Sequence, residues 1–134
     1  MEFKLEILEG TRIPTALLEI PQPPKKLYLA GRLPPKDTVC LAVVGSRKAT
    51  TYGKDAVRRL ISGLRGYPIA VVSGLAPGID ALSHEAALDV GLLAVGFLGS
   101  GISREALSLH PNTDLMRRII EAGGCLVSEF EPDF

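Results

Sequence analysis

The chain has 134 residues, 46% of them hydrophobic and 22% charged, which suits one hydrophobic core and gives no reason to expect a second domain. Fifteen Lys and Arg balance fifteen Asp and Glu, which excludes a protein that coats nucleic acid through its overall charge; such binding would have to come from a local patch. The longest apolar runs, such as Ile69–Val72 and Leu92–Leu98, are far too short to cross a bilayer. The first residues, Met-Glu-Phe-Lys-Leu-Glu, lack the basic and apolar regions of a signal peptide, so a cytoplasmic protein is expected.

Residues 1–38 read as a proline-rich, extended lead-in. Six of the ten prolines fall there (Pro14, Pro21, Pro23, Pro24, Pro34 and Pro35), and proline neither donates to a ladder nor continues a helix. One short strand, Lys26–Ala30, is expected at the sheet edge before Gly31. From Val39 the pattern becomes regular. Val39–Val44 is a continuous apolar run, expected as a strand buried on both faces. A helix follows, with Ala56, Val57, Leu60, Ile61 and Leu64 on one apolar face, stopped by Gly66 and Pro68. Ile69–Val72 is the next strand, then a helix over about Ile79–Asp89 with Ile79, Leu82 and Ala86 inward. Leu93–Leu98 is a strand, Asn112–Ala122 a helix after a loop, and Cys125–Val127 the last strand. Strands alternating with helices imply parallel βαβ units. Residues 39–134 therefore read as the Rossmann-like core of one α/β domain, a doubly wound, mostly parallel sheet with helices on both faces. Cys40 and Cys125 lie far apart in apolar runs and are expected as reduced, buried core thiols.

Each core strand ends in a turn of small residues: Gly45-Ser46-Arg47, Ser73-Gly74-Leu75-Ala76-Pro77-Gly78, Gly99-Ser100-Gly101, and Ser128-Glu129. In an open parallel sheet these turns share the carboxyl edge, where ligands bind. Glycine admits a ligand close to backbone N–H groups, and a following helix N-terminus favours an anion. Arg47 adds a guanidinium fork for phosphate oxygens, one that also stacks on bases. Lys48 and Lys54 add positive charge, and Thr50 or Thr51 caps the first helix. On the residues alone, the loops fit either a ligand site or a set of tight turns.

Other chemistries find less support. Gly45-Ser-Arg-Lys-Ala-Thr50 is not a GxGxxG fingerprint, and no GxxxxGK[ST] occurs. Asp80 and His84 share a helix face, but no third residue suggests a metal, and no cofactor is implied. His84 reads as structural. Asp80 is expected to steady the helix N-terminus, through its dipole or by bonding an amide of the neighbouring loop. Ser46 and Ser73 have no evident base, so no catalytic residue is assigned. Glu129 is expected to accept hydrogen bonds from loop amides and pin the site.

Val43-Val-Gly-Ser-Arg-Lys-Ala-Thr50 with Tyr52-Gly53, Val72-Ser-Gly-Leu-Ala-Pro-Gly-Ile-Asp80 with His84, Gly99-Ser-Gly101, Pro111-x-x-x-Leu115 and Gly123-Gly124 through Ser128-Glu129-Phe130 together resemble the DprA/Smf family of bacterial DNA-processing proteins, over residues 13–130. The resemblance implies a Rossmann-like core that binds single-stranded DNA without catalysis, loads the RecA recombinase during DNA uptake and natural transformation, and forms a homodimer. It places the phosphate pocket at Gly45, Ser46, Arg47 and the Ser73–Gly78 loop. The wider set is Lys48, Thr50, Gly53, Ser73, Gly74, Leu75, Ala76, Gly78, Gly99 and Gly101, with Asp80, His84, Asn112, Ser128 and Glu129 as structural support. The sequence departs from the family pattern at Pro77, where a basic residue is common, and at His110, where a tyrosine is common. The family's Phe-Pro-x-Arg-Asn-Arg segment has no counterpart up to Phe134. Two other readings compete: a small-nucleotide or phosphoribohydrolase-like protein, which lacks its Pro-Gly-Gly-x-Gly-Thr signature here, and a structural remnant without ligand.

Overall fold

The computed structural model describes residues 2–134. The elements run β1 (Leu5–Glu9), α1 (Thr15–Leu18), β2 (Lys26–Gly31), β3 (Val39–Ala42), α2 (Thr51–Ser62), β4 (Ile69–Ser73), α3 (Ile79–Asp89), β5 (Leu93–Leu98), α4 (Arg104–Ser108), α5 (Thr113–Glu121) and β6 (Cys125–Ser128). Six strands form one sheet in the order β1-β2-β6-β5-β4-β3. The last four are parallel, and β2 pairs antiparallel with both β1 and β6. The mostly parallel α/β sheet expected from the alternating pattern is present.

Its winding is simpler than a doubly wound sheet. β3, β4, β5 and β6 lie side by side in chain order, so strand order never reverses among them, and right-handed crossovers put α2, α3 and α5 on one face. There Val71 packs with Ile61, Ala86 and Ala87, and Ala94 and Leu126 pack with Leu115, Met116 and Ile119. Met116 and Ile119 are fully buried, and each such side chain stabilises the fold by about 2–3 kcal/mol. The opposite face is covered by the lead-in. Ile13 and Leu17 lie over Leu27, Leu29, Val95, Cys125 and Val127, so the second helical layer is the single turn α1.

The lead-in gives two strands rather than one. β2 is interior, between β1 and β6, and its Leu27–Ala30 are buried; β1 takes the edge. β3 corrects the other strand expectation. It forms the far edge and all four of its residues are exposed, because nothing pairs beyond it. Cys40 is consequently exposed, whereas Cys125 is a buried core thiol, its pKa pushed up to about 12, mainly by burial. On α2 only Ile61 is buried, and Leu60 faces outward. α3 is buried on most of its circumference, polar Asp80, Ser83 and His84 included. Among the described residues no helix is long and apolar enough to cross a membrane.

Candidate functional site

Parallel pairing of β3 through β6 places their terminal loops in a row along the carboxyl edge, as the glycine turns suggest. The first two loops are fastened by one carboxylate. Asp80, in the first turn of α3, accepts from the Gly45 N–H through Oδ1 at 3.2 Å and from the Gly74 N–H through Oδ2 at 3.3 Å. The expectation that Asp80 bonds a neighbouring loop amide is met twice over. Ser73 Oγ adds a bond to the Val43 carbonyl at 2.5 Å. Gly78 completes the joint. Its φ is +86°, and a Cβ there would sit 2.3 Å from the Ser46 carbonyl oxygen and 2.6 Å from that of Arg47. Only glycine fits at that φ and at that approach. The Ile79 N–H donates to the Ser46 carbonyl at 3.1 Å. Arg47 and the Gly74–Gly78 loop therefore lie together.

This fastening uses up donors that the glycine pattern suggested for a ligand. The Gly45 and Gly74 amides are committed to Asp80, and the Gly53 amide to Thr50 Oγ1 at 3.0 Å, which makes Thr50 the N-cap of α2. The first amide of α3 points at the Ser46 carbonyl. Ser46 Oγ accepts from the Lys48 N–H at 3.1 Å. The backbone N–H groups of Ser46, Arg47, Ala76 and Gly78 make no hydrogen bond among the described residues. Arg47, Lys48 and Lys54 are exposed and form no ion pair among the described residues. The edge thus offers three cations and a few amides on an open surface.

Leu75 and Asn112 form a further contact. Leu75 has φ +59° and is fully buried, so its side chain faces the core and away from any ligand. Asn112 Nδ2 donates to its carbonyl at 2.8 Å, which ties the start of α5 to the β4 loop.

The loops after β5 and β6 are joined differently. Ser128 Oγ donates to the Ser100 carbonyl at 2.6 Å and accepts from the Phe130 N–H at 3.0 Å. Gly101 is buried, and a Cβ on it would lie 2.2 Å from the Pro132 carbonyl oxygen. It is filled by the chain after β6 and cannot receive a phosphate. Gly99 is open. Glu129 is exposed and accepts no hydrogen bond among the described residues; Ser128 does the pinning expected of it. The resemblance counts Ser128 among the structural supports of the site, and the structure supplies what its position at a strand end leaves open, the direction of its hydroxyl. His84 is fully buried. Its Nε2 donates to the Val95 carbonyl at 3.0 Å, and its Nδ1 has no partner among the described residues. Burial lowers its pKa, which keeps the ring neutral and structural.

A mostly parallel α/β sheet whose carboxyl-edge loops are tied through a buried aspartate beside unpaired cations defines a Rossmann-like protein. The chain belongs to the DNA recombination-mediator protein A family, whose model matches residues 4–134. It is 37% identical over 122 residues to Protein Smf of Escherichia coli, covering 90% of this chain and 32% of that protein. It is 38% identical over 89 residues to DNA processing protein DprA of Streptococcus pneumoniae, covering 66% of this chain and 31% of that protein. Among solved structures it is similar to the Helicobacter pylori DNA processing protein A described for its single-stranded DNA binding mode. The TM-score there is 0.78 at 31% identity, over 98% of this chain and 58% of the other. The chain spans about a third of the length of the curated relatives it matches.

Proposed function

We propose that this chain binds the backbone of single-stranded DNA along the β3–β4 end of the carboxyl edge, with Arg47, Lys48 and Lys54 meeting phosphates and the amides of Ser46, Arg47, Ala76 and Gly78 supplying short-range donors. The observation that carries the reading is the tethering of two adjacent loops by Asp80, which holds an exposed, unpaired arginine over unused amides. Family membership supports it, since the Helicobacter pylori relative is described as a single-stranded DNA binder. The role is binding without catalysis. Ser46 and Ser73 hydroxyls are engaged by backbone, the Asp80 carboxylate is taken up by the Gly45 and Gly74 amides, and His84 is buried against Val95, so among the described residues neither serine hydroxyl bonds a base that could activate it. We extend the reading to the family's process: the protein holds incoming strands and hands them to RecA during DNA uptake and transformation.

Fluorescence anisotropy with a labelled oligothymidine tests the binding. Three phosphate contacts on a single strand give a salt slope of about −2 in log–log form. Arg47→Ala is expected to weaken binding to every sequence alike. No binding at low salt overturns the proposal.

A further inference from the structure

Positive charge is gathered on one stretch of the chain. Six of the fifteen Lys and Arg fall between Arg47 and Arg65, and Asp55 is the one acid there. Six cations against one acid give that stretch a charge of +5, in a chain whose formal net charge is zero. Arg47 and Lys48 belong to the carboxyl-edge loop; Lys54, Arg58, Arg59 and Arg65 lie on α2 and the turn after it. This charge is hardly neutralised from within. Asp55 reaches Arg58 at 3.9 Å, and Lys54, Arg59 and Arg65 form no ion pair among the described residues. α5 is built the other way. Its Arg117 lies between Asp114 at 2.6 Å and Glu121 at 2.8 Å, both on the same helix.

The cations of α2 are also ordered. Lys54 and Arg58 are four residues apart and Arg65 follows seven later, close to whole turns of a helix, so the three succeed one another down one side. The turn is kept past Ser62, because the Leu64 and Arg65 N–H groups bond back to the Ile61 and Ser62 carbonyls at 3.0 and 3.3 Å. All three cations are exposed, whereas Val57, Ile61 and Leu64 pack with Val43 and Val71. The row is about 16 Å long at 1.5 Å per residue, and it starts four residues past the Thr50 N-cap, beside the loop that carries Arg47 and Lys48. The arrangement costs the helix. Its first turn holds no acid, although the N-terminal dipole favours one, and cations four residues apart repel. A bound polyanion offsets both terms, since each neutralised phosphate also releases counterions.

We propose that α2 carries the DNA onward: a single strand held at Arg47 and Lys48 leaves the carboxyl edge along the outer side of α2, and its backbone meets Lys54, Arg58 and Arg65 in turn. The proposal rests on the DNA-binding reading of the edge. It extends a site for a few phosphates into a track that runs toward the amino ends of the strands, where the turn after Arg65 delivers β4. At roughly 3.4 Å per stacked nucleotide, the row on α2 takes about five nucleotides beyond the edge. The track does not select sequence, because phosphate contacts carry no base information.

Fluorescence anisotropy with two labelled oligothymidines tests the track: one of about four nucleotides, sized for the edge, and one of about 16, which covers edge and helix. The longer strand should bind the parent chain more tightly, with a salt slope steeper by about 1.4 for the two added contacts, Arg58 and Arg65. The double variant Arg58→Ala, Arg65→Ala should weaken the longer strand roughly ten-fold at low salt and return its slope to that of the short one. The short strand should bind that variant as it binds the parent. The double variant Lys4→Ala, Arg32→Ala removes the same charge at the β1–β2 end of the sheet, where both side chains are exposed and form no ion pair among the described residues. It should change neither strand. All four positions are on the surface, and unshifted urea midpoints show that both variants are folded. The track is overturned, and the edge site left standing, if the longer strand binds the α2 variant as well as the parent or is weakened equally by the Lys4 and Arg32 substitutions. Tighter binding of the longer strand at an unchanged salt slope overturns it too, since that strand has then gained only more positions at the edge. No binding of either strand by the parent chain overturns the edge reading and the track together.

Discussion

The loops after β3 and β4 and the loops after β5 and β6 are made of the same kinds of residue at the same edge of one sheet. In the first pair, glycine and aspartate bring two loops together and leave Arg47 and Lys48 outside. In the second pair, Gly101 gives up its space to the Pro132 carbonyl, and Ser128 ties Ser100 to the chain beyond. A glycine after a strand therefore has no single meaning. What separates an open loop from a filled one is whether chain or solvent lies beyond it: Gly101 is filled by the chain after β6, and Arg47 and Lys48 face solvent.

Substitutions at the two glycines should break this comparison most forcefully. Gly78→Ala and Gly101→Ala each drive a Cβ into a carbonyl oxygen, and at Gly78 the backbone is also disallowed for alanine. Each should cost about 3 kcal/mol in urea unfolding, whereas Gly99→Ala, which meets nothing within 4 Å, should stay within about 0.5 kcal/mol. At concentrations where both remain folded, only Gly78→Ala should also lose oligonucleotide affinity. Asp80→Asn comes next. An amide can accept from one loop N–H but turns its own NH₂ toward the other, and an unmatched buried donor costs about 1–3 kcal/mol; binding should weaken with stability, because both loops come loose. Ser128→Ala should cost about 1 kcal/mol and leave binding unchanged, and a fall in affinity there would erase the division between the halves. Arg47→Ala is the converse: roughly a five-fold loss of affinity at low salt, a salt slope shallower by about 0.7, and an unchanged unfolding midpoint.

His84, whose ring ties α3 to β5 between the two halves, gives the mildest test. Its folded pKa lies below the ordinary 6.5 because of burial. Below pH 6.5 the unfolded chain takes up a proton that the folded chain refuses, so this contribution is full above 6.5 and is lost as pH falls toward the folded value. The melting temperature should drop between pH 7 and 5, and His84→Gln, which keeps a donor for Val95, should flatten that part of the profile.

Much of the fold was legible because local signals agreed. α3 and β5 fall where periodicity and their bounding glycines put them. The failures share a cause: they depend on neighbours that no stretch of sequence contains. Val39–Val44 looks identical whether a strand covers it or solvent does, so an apolar run read as a buried strand turned out to be an edge. β1 is short and carries two glutamates, which hid it, and α4 is a five-residue turn too short for periodicity. At the site, the meeting of the loops was legible from strand order. The loss of the Gly45 and Gly74 amides to Asp80 was not, because it depends on one side chain reaching two loops 35 and 6 residues away.

The position of β2 bears on how the molecule assembles. The four parallel strands can zip in order, each beside the one made just before it. β2 instead needs β6: Leu29 lies opposite Val127, close to a hundred residues downstream. During synthesis β1 and β2 emerge well before the strand that β2 pairs with, and Tyr28, Leu29 and Ala30 lack their β6 neighbours until Cys125–Ser128 emerge. Contacts so distant along the chain slow folding. The step that seats β1 and β2 against β6 is accordingly the one at which a nascent chain is most exposed to capture by chaperones or proteases.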